Sequence, residues 1–157
     1  MIAMRAKLGD IIEELECQSL ESAAYLDKKT GQVVLAGEEE LRAAEDNQPL
    51  EDYPDWQRDA IKVAGDIIEN EENYIPLPTK FDINDYDIME SYCLSLQDKK
   101  MREHFYNAIK AKGAFGRFKE LIHRFEIADE WYKFRQGALK KIAIEWCQHH
   151  GIEYISD

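Results

Sequence analysis

Two aromatic-rich helical patterns in the last third of the chain constrain its fold most strongly. In both runs the apolar residues recur at spacings of three and four, which places them on one face of a helix. The first run is Phe115, Phe118, Ile122 and Phe125. The second run is Trp131, Phe134, Ala138, Ile142 and Trp146. Because so few residues separate the runs, the two helices are predicted to pack against each other around a dry aromatic core.

The ends of the second helix also carry signals. Asp129 is a predicted N-cap, with Glu130 beside the positive end of the helix dipole. Gly151 follows the last turn and is a predicted C-terminal stop.

Several further helices are predicted upstream. The first spans roughly residues 4–18, a short helix or turn begins at Glu38, and a third runs from Trp56 to about Asn70. The predicted inward positions of the third are Ala60, Val63, Ala64, Ile67 and Ile68. A fourth helix is capped by Asn84 or Asp85, and a fifth begins near Gln97 or Asp98 and is closed by Gly113.

Strand signals are short and few. The runs Ser22–Asp27 and Gln32–Leu35 flank a loop containing Gly31 and predict a β-hairpin. Residues 73–78 contain two prolines, so this segment is an edge strand or no strand at all. Residues 152–155 alternate and predict a short terminal strand. The expected fold class is therefore α+β: a predominantly helical bundle with a small N-terminal hairpin.

Length and composition predict one cytoplasmic domain. At 157 residues the chain is most simply a single domain, 1–157, and 45% hydrophobic with 33% charged residues is ordinary globular composition. The apolar runs are too short for a membrane span, and the charges near the start do not fit a signal peptide. Three widely separated cysteines, Cys17, Cys93 and Cys147, are expected to be reduced thiols.

The net charge of −12 is unevenly distributed. Residues 1–98 hold 24 Asp and Glu against 8 Lys and Arg, whereas residues 99–157 hold 8 against 12. An acidic front half disfavours nonspecific binding to nucleic acid or anionic membranes. Residues 99–124 form a basic segment, with 8 Lys and Arg against 2 Glu. This segment either binds a polyanion or acidic partner, or pairs with the acidic half of the same chain.

Motifs for catalysis, cofactors or metals are weak. Cys147, His149 and His150 lack the partners that a zinc site needs, so solvated imidazoles at a helix end are the better interpretation. A nucleophilic Cys93 would need a histidine that sequence cannot place beside it. The turn Gly113–Gly116 favours a plain interhelical connection over an anion site. No cofactor or metal is therefore expected.

The candidate binding residues flank the aromatic core. Tyr132 and Arg135 fall off the buried face of their helix and are expected to be exposed, with Arg117 and Lys119 adding positive charge. An arginine beside an aromatic ring is a recurring recognition unit. Tyr25 and Asp27 of the hairpin complete the candidate set, together with Arg117, for a cryptic enzyme site between hairpin and aromatic helices.

Four segments in order resemble the bacterial Uncharacterised Protein Family 0158. They are Tyr25–Val33, Tyr74–Pro78, Gly113–Lys119 and Trp131–Arg135. The resemblance covers most of the chain and implies a small bacterial cytoplasmic protein, with no activity, cofactor or catalytic residue attached. The chain departs from the family at Gly116, where a basic residue is common.

Three functional hypotheses follow. The first is a non-enzymatic binding or regulatory module that acts through protein or ligand contacts. The second is a nucleic-acid-associated protein that uses residues 99–124 with Tyr132 and Arg135. The third is an enzyme whose site sequence motifs do not reveal. The oligomeric state is left open.

Overall fold

A computed structural model describes residues 5–17, 22–80 and 82–156. These residues form seven α-helices and five short strands, so the chain is α+β and predominantly helical, as predicted. They divide into two compact units, the first comprising Met1–Asp82 with Ile142–Asp157 and the second comprising Ile83–Lys141. The single-domain organisation stays a prediction.

The first described element of the first unit is a strand rather than a helix. Strand β1 (Arg5–Lys7) pairs in parallel with β5 (Glu153–Ile155), and α1 (Leu8–Glu16) follows it directly. The terminal strand is thus confirmed, but the prediction of a helix from residue 4 to 18 is wrong at its start. Backbone pairing with β5 overrides helical spacing there, while residues 4 and 18 lie outside the described ranges.

The hairpin is confirmed. Strands β2 (Ser22–Asp27) and β3 (Val33–Gly37) pair antiparallel, and Gly31 adopts the φ of +76° that the turn requires. Strand β4 (Tyr74–Pro76) pairs antiparallel with the other side of β2, giving the order β3-β2-β4. The proline-containing segment is therefore an edge strand, where a missing N–H donor is tolerated.

Two helices accompany this sheet, α2 (Glu38–Glu45) and α3 (Asp55–Glu69). The predicted inward face of α3 is partly wrong, because Ile61, Ala64 and Ile67 are buried while Val63 and Ile68 are exposed. Ala64 and Ile67 share a small core with Ala36 of β3. The buried face of α3 is therefore narrow, and the apolar side chains of Val63 and Ile68 beside it are exposed to water.

The second unit is helical. It contains α4 (Asp85–Ser95), α5 (Lys99–Ala108), α6 (Ala114–Arg124) and the beginning of α7 (Ala128–His149). Asn84 caps α4 by accepting a hydrogen bond from the Asp87 N–H at 3.0 Å, and Asp98 caps α5 by accepting one from the Met101 N–H at 3.1 Å.

Two predicted helix boundaries are wrong. Helix α5 ends at Ala108, and Gly113, with φ of +80°, instead directly precedes α6. Asp129 is not an N-cap, because α7 already begins at Ala128 and Asp129 lies in its first turn. Its carboxylate still meets the positive end of the helix dipole. At the other end of α7, Gly151 has φ of +65°, as a C-terminal stop requires.

An aromatic core forms in the second unit, as predicted. Phe118 is 2% exposed, and the half-buried Trp131 packs edge-on against it with ring centroids 4.8 Å apart. Phe134 packs against the same cluster. Phe115 and Phe125, predicted to be buried, are exposed: their spacing matches the buried stripe of Phe118 and Ile122, but they lie near the two ends of α6.

The buried stripe of α7 is displaced by one residue from the predicted one. Its fully buried residues are Leu139, Ala143 and Cys147. The predicted positions Ala138, Ile142 and Trp146 are half-buried. Near its end, Trp146 donates a hydrogen bond from Nε1 to the Pro76 carbonyl at 3.1 Å, joining α7 to β4 within the first unit. Over the described ranges, no helix has both the length and the apolar character of a membrane span.

Candidate ligand-binding groove

The second unit contains an open groove of about 430 Å³, bordered by α4, α6 and α7. Helix α6 contributes Phe115, Lys119, Ile122 and His123, spaced so that they share one face. Helix α7 contributes Trp131, Tyr132 and Arg135, and α4 contributes Asp85. The volume lies in the range of small-molecule and peptide-side-chain pockets. We call this feature the α6–α7 groove.

The floor of the groove is apolar and tightly packed. Phe118 and Ile122 are buried, and the Trp131 ring lies between the groove and Tyr92, whose centroid is 5.4 Å from that of Trp131. Edge-to-face ring contacts of this kind fix side-chain orientation beyond what area burial provides. The floor is therefore a rigid surface on which an apolar or aromatic group can rest.

Two aromatic rings stand at the rim. Phe115 is 48% exposed and Tyr132 is 62% exposed. Phe115 is held on one side by the Tyr86 ring, edge-on at 6.5 Å, and Tyr86 in turn donates a hydrogen bond to the Ile109 carbonyl at 2.9 Å. Large exposed rings beside a cavity are typical of binding surfaces.

Two of the three Asp, Lys and Arg side chains that line the groove are cationic, namely Lys119 and Arg135, and the third is Asp85. Lys119 and His123 are exposed one turn apart on α6. Arg135 lies opposite Asp85, with Nη2 and Oδ1 3.7 Å apart and a side chain only 25% exposed. That separation is longer than a hydrogen bond, so Asp85 orients the guanidinium without occupying its donors fully. The groove thus combines positive charge with aromatic surface.

Three of the sequence-predicted residues meet in this groove: Lys119, Tyr132 and Arg135. Arg117 does not line it. Its Nε donates to the Ala108 carbonyl and its Nη2 to the Ala111 carbonyl, both at 2.7 Å, so the guanidinium holds the connection between α5 and α6. It borders a different depression, together with His104 and Arg124.

The hairpin candidates lie in the first unit. Tyr25 packs against the small core of Ala36, Ala64 and Ile67. Asp27 begins the hairpin turn, where its Oδ1 accepts a hydrogen bond from the Lys29 N–H at 2.8 Å. Both side chains therefore have local structural contacts.

Half of the cations in the basic segment 99–124 have contacts within the second unit. Besides Arg117, Arg102 donates to the Leu96 carbonyl at 3.2 Å. Lys110 lies 4.4 Å from the centroid of the Tyr106 ring, and Arg124 lies 3.8 Å from Glu120. The segment is consequently less available to a polyanion than its charge count indicates.

Cys93 and Cys147 are buried thiols whose pKa is raised. Burial raises the pKa of Cys93 to about 11, and it also raises the pKa of Cys147. Both side chains are buried and all three cysteines are free thiols. Because the thiolate is the reactive form, a raised pKa disfavours nucleophilic chemistry. Across the residues that the structure describes, no three His, Cys, Asp or Glu side chains come together as a metal site.

Sequence reasoning missed three groove residues: Asp85, His123 and Phe115. The sequence predicts Asn84 or Asp85 as a helix cap, and nothing in it links Asp85 to Arg135, 50 positions away on another helix. Phe115 was assigned to the core because its spacing matches the buried stripe. Its position in the first turn of α6 is the signal that favours a half-exposed ring.

The fold is that of a small α+β protein, and its second unit carries an open groove bordered by aromatic and cationic side chains. The chain belongs to the uncharacterised protein family UPF0158, whose model matches residues 2–157. No match was found among curated proteins or among solved structures.

Proposed function

We propose that this protein is a non-enzymatic binding module of the bacterial cytoplasm, and that the α6–α7 groove holds an acidic segment of a partner protein. One observation carries the proposal: exposed Lys119 and partly exposed Arg135 border the same groove as the exposed rings of Phe115 and Tyr132. A carboxylate and a neighbouring apolar side chain would be recognised together there.

The chemistry of recognition follows from the two kinds of group. A ligand carboxylate would accept hydrogen bonds from Arg135, whose planar fork suits bidentate contact, and would compete with the long contact to Asp85. Lys119, which is exposed, would add a positive charge at the rim. The apolar part of the ligand would lie on Trp131 and Tyr132, which supply rigid area at low entropic cost.

Charge favours a protein segment over a nucleic acid as the ligand. A polyanion would be repelled by the acidic residues 1–98, and much of the affinity of nucleic-acid binding comes from phosphate contacts. A short acidic segment brings few charges and places them only at the groove. The local contacts of Arg102, Lys110, Arg117 and Arg124 further reduce the basic surface left for a phosphate backbone.

The test uses a short fluorescein-labelled peptide, rich in glutamate and containing one phenylalanine, with binding followed by fluorescence anisotropy. Lys119→Glu should weaken binding roughly tenfold or more, because it places a negative charge at the rim of the groove. Lys140→Glu makes the same charge change on the exposed side of α7 outside the groove and should leave binding nearly unchanged.

A glutamine version of the peptide and a single-stranded oligonucleotide complete the comparison. Equal binding of the glutamine peptide, or equal losses in the two lysine variants, would refute the groove as an acidic-segment site. Tighter binding of the oligonucleotide with a steep salt dependence would favour the nucleic-acid alternative instead.

A further inference from the structure

An acidic segment with a protruding tryptophan lies in the first unit. Trp56, in the first turn of α3, is 75% exposed. Tryptophan is highly buried on average in folded proteins, so this degree of exposure is unusual. Four carboxylates surround it in sequence: Glu51, Asp52, Asp55 and Asp59. All four are exposed.

This acidic segment is held in a fixed conformation. Arg58 donates from Nε to the carbonyls of Leu50 and Tyr53, at 3.0 and 2.9 Å. The same guanidinium lies 2.8 Å from Asp55 through Nη1. A single arginine therefore ties residues 50–55 to the first turn of α3. A segment ordered before it binds loses less conformational entropy on binding.

We propose that the partner of the α6–α7 groove is a second copy of this chain, which inserts residues 50–59 with Trp56 at their centre. This inference rests on the proposed function, since it names the acidic segment that the groove would hold. The two surfaces are complementary in charge and in chemistry. Lys119 and Arg135 would face the carboxylates, and the indole would lie against Phe115 and Tyr132.

Tryptophan is one of the residues that most often dominate the energy of a protein interface, especially when a ring of polar contacts excludes water around it. Because each copy carries both surfaces, two copies can exchange segments reciprocally, or copies can associate head to tail. In both arrangements association should increase with protein concentration.

The experiment is sedimentation velocity on the full chain over a range of protein concentrations. The wild type should self-associate. Trp56→Ala removes the inserted ring, and the double change K119E/Y132A disables the groove; each should weaken self-association roughly tenfold or more. Leu35→Ala, which removes another exposed apolar side chain of the first unit, serves as the control and should associate like the wild type. A circular dichroism spectrum of each variant is needed to check that the variant is folded.

Mixing the two defective variants gives the sharpest result. W56A retains an intact groove and K119E/Y132A retains an intact acidic segment, so an equimolar mixture should form a heterodimer through one productive contact. A mixture in which no heterodimer forms would overturn the inference, as would a wild type that stays monomeric throughout.

The outcomes separate this inference from the proposed function. If the glutamate peptide binds the groove while the wild type stays monomeric, the partner is another protein and only the second-copy inference fails. If self-association requires Trp56 but is insensitive to K119E/Y132A, and the peptide does not bind, the groove itself is the wrong site and both proposals fail.

Discussion

At the scale of single residues, Tyr92 is the most unusual member of the aromatic core. It is 4% exposed and its ring contacts Phe118, Trp131 and Phe134 edge-on, with centroids 5.2–6.1 Å apart. Its hydroxyl is buried and makes no hydrogen bond within the part of the chain that the structure describes. Burial also raises the pKa of this phenol. The ring thus stabilises the core while the hydroxyl opposes folding.

Replacing Tyr92 by phenylalanine should therefore leave stability unchanged or increase it by about 1 kcal/mol, because a buried polar group without a partner costs about 1–3 kcal/mol. Thermal and urea denaturation measure the difference. As a control, Tyr92→Ala removes the ring contacts as well and should cost about 3–5 kcal/mol, the usual range for aromatic truncation. A loss of more than about 1 kcal/mol in Tyr92→Phe would mean that the hydroxyl is hydrogen-bonded.

At the scale of secondary-structure elements, side-chain hydrogen bonds stabilise two of the connections between neighbouring elements. The last carbonyls of a helix have no partner within that helix. Arg117 of α6 supplies donors to the carbonyls of Ala108 and Ala111, at the end of α5 and just beyond it. Arg117, which the sequence analysis proposed as a binding residue, therefore has a structural contact instead.

We expect Arg117→Met to destabilise the protein by about 1–3 kcal/mol, since hydrogen bonds from a charged donor contribute about 1.5–3 kcal/mol and the site is partly exposed. Arg124→Met, which removes only the exposed contact with Glu120, should cost less than about 1 kcal/mol. Urea denaturation measures both. Equal effects, or loss of peptide binding in folded Arg117→Met, would contradict a purely structural contact.

A second connection joins α3 to β4. The Tyr74 hydroxyl donates to Asp66, which also accepts a hydrogen bond from the Asn70 side chain at 2.7 Å. The hydrogen bond raises the pKa of Tyr74 to about 12 and, together with the one from Asn70, lowers the pKa of Asp66. The folded state therefore favours a protonated phenol beside an ionised carboxylate.

The pH dependence of the free energy of unfolding follows from the raised pKa of Tyr74 and the lowered pKa of Asp66. The Tyr74 contribution to stability is complete below its ordinary pKa of about 10 and is lost as pH rises toward about 12. The Asp66 contribution is complete above its ordinary pKa of about 4 and is lost as pH falls through its lowered value.

Tyr74→Phe should therefore reduce the urea midpoint at neutral pH and flatten its dependence on pH at both the acid and the alkaline ends. Glu69→Gln, on an exposed position of the same helix, should leave both slopes in place. Unchanged slopes in Tyr74→Phe would show that this pair does not couple folding to protonation.

At the scale of the whole molecule, the separation of charge along the chain is the property that both proposals use. The acidic residues 1–98 supply the Trp56 segment, and the second unit supplies the cationic rim of the groove. The sequence grouped Arg117, Lys119, Tyr132 and Arg135 as candidate binding residues, and all of these except Arg117 border the groove. It did not predict that Asp85 and His123 line the groove, because that depends on which helices become neighbours. It also did not predict the exposure of Trp56, because that depends on how wide the buried stripe of α3 is.

The sequence by itself determined the elements whose signals are local. The hairpin around Gly31 and the helical spacing through Phe118 and Trp131 follow from backbone preferences and apolar periodicity. The start of α4 was predicted to within Asn84 or Asp85 and that of α5 to within Gln97 or Asp98, and the structure places the caps at Asn84 and Asp98. Only the tertiary structure decided that residues 5–7 form a strand, because that strand exists through pairing with residues 153–155 at the other end of the chain. Likewise only packing placed Arg135 beside Asp85 and turned Arg117 to the carbonyls near the end of α5, since contacts between distant residues depend on how the helices pack.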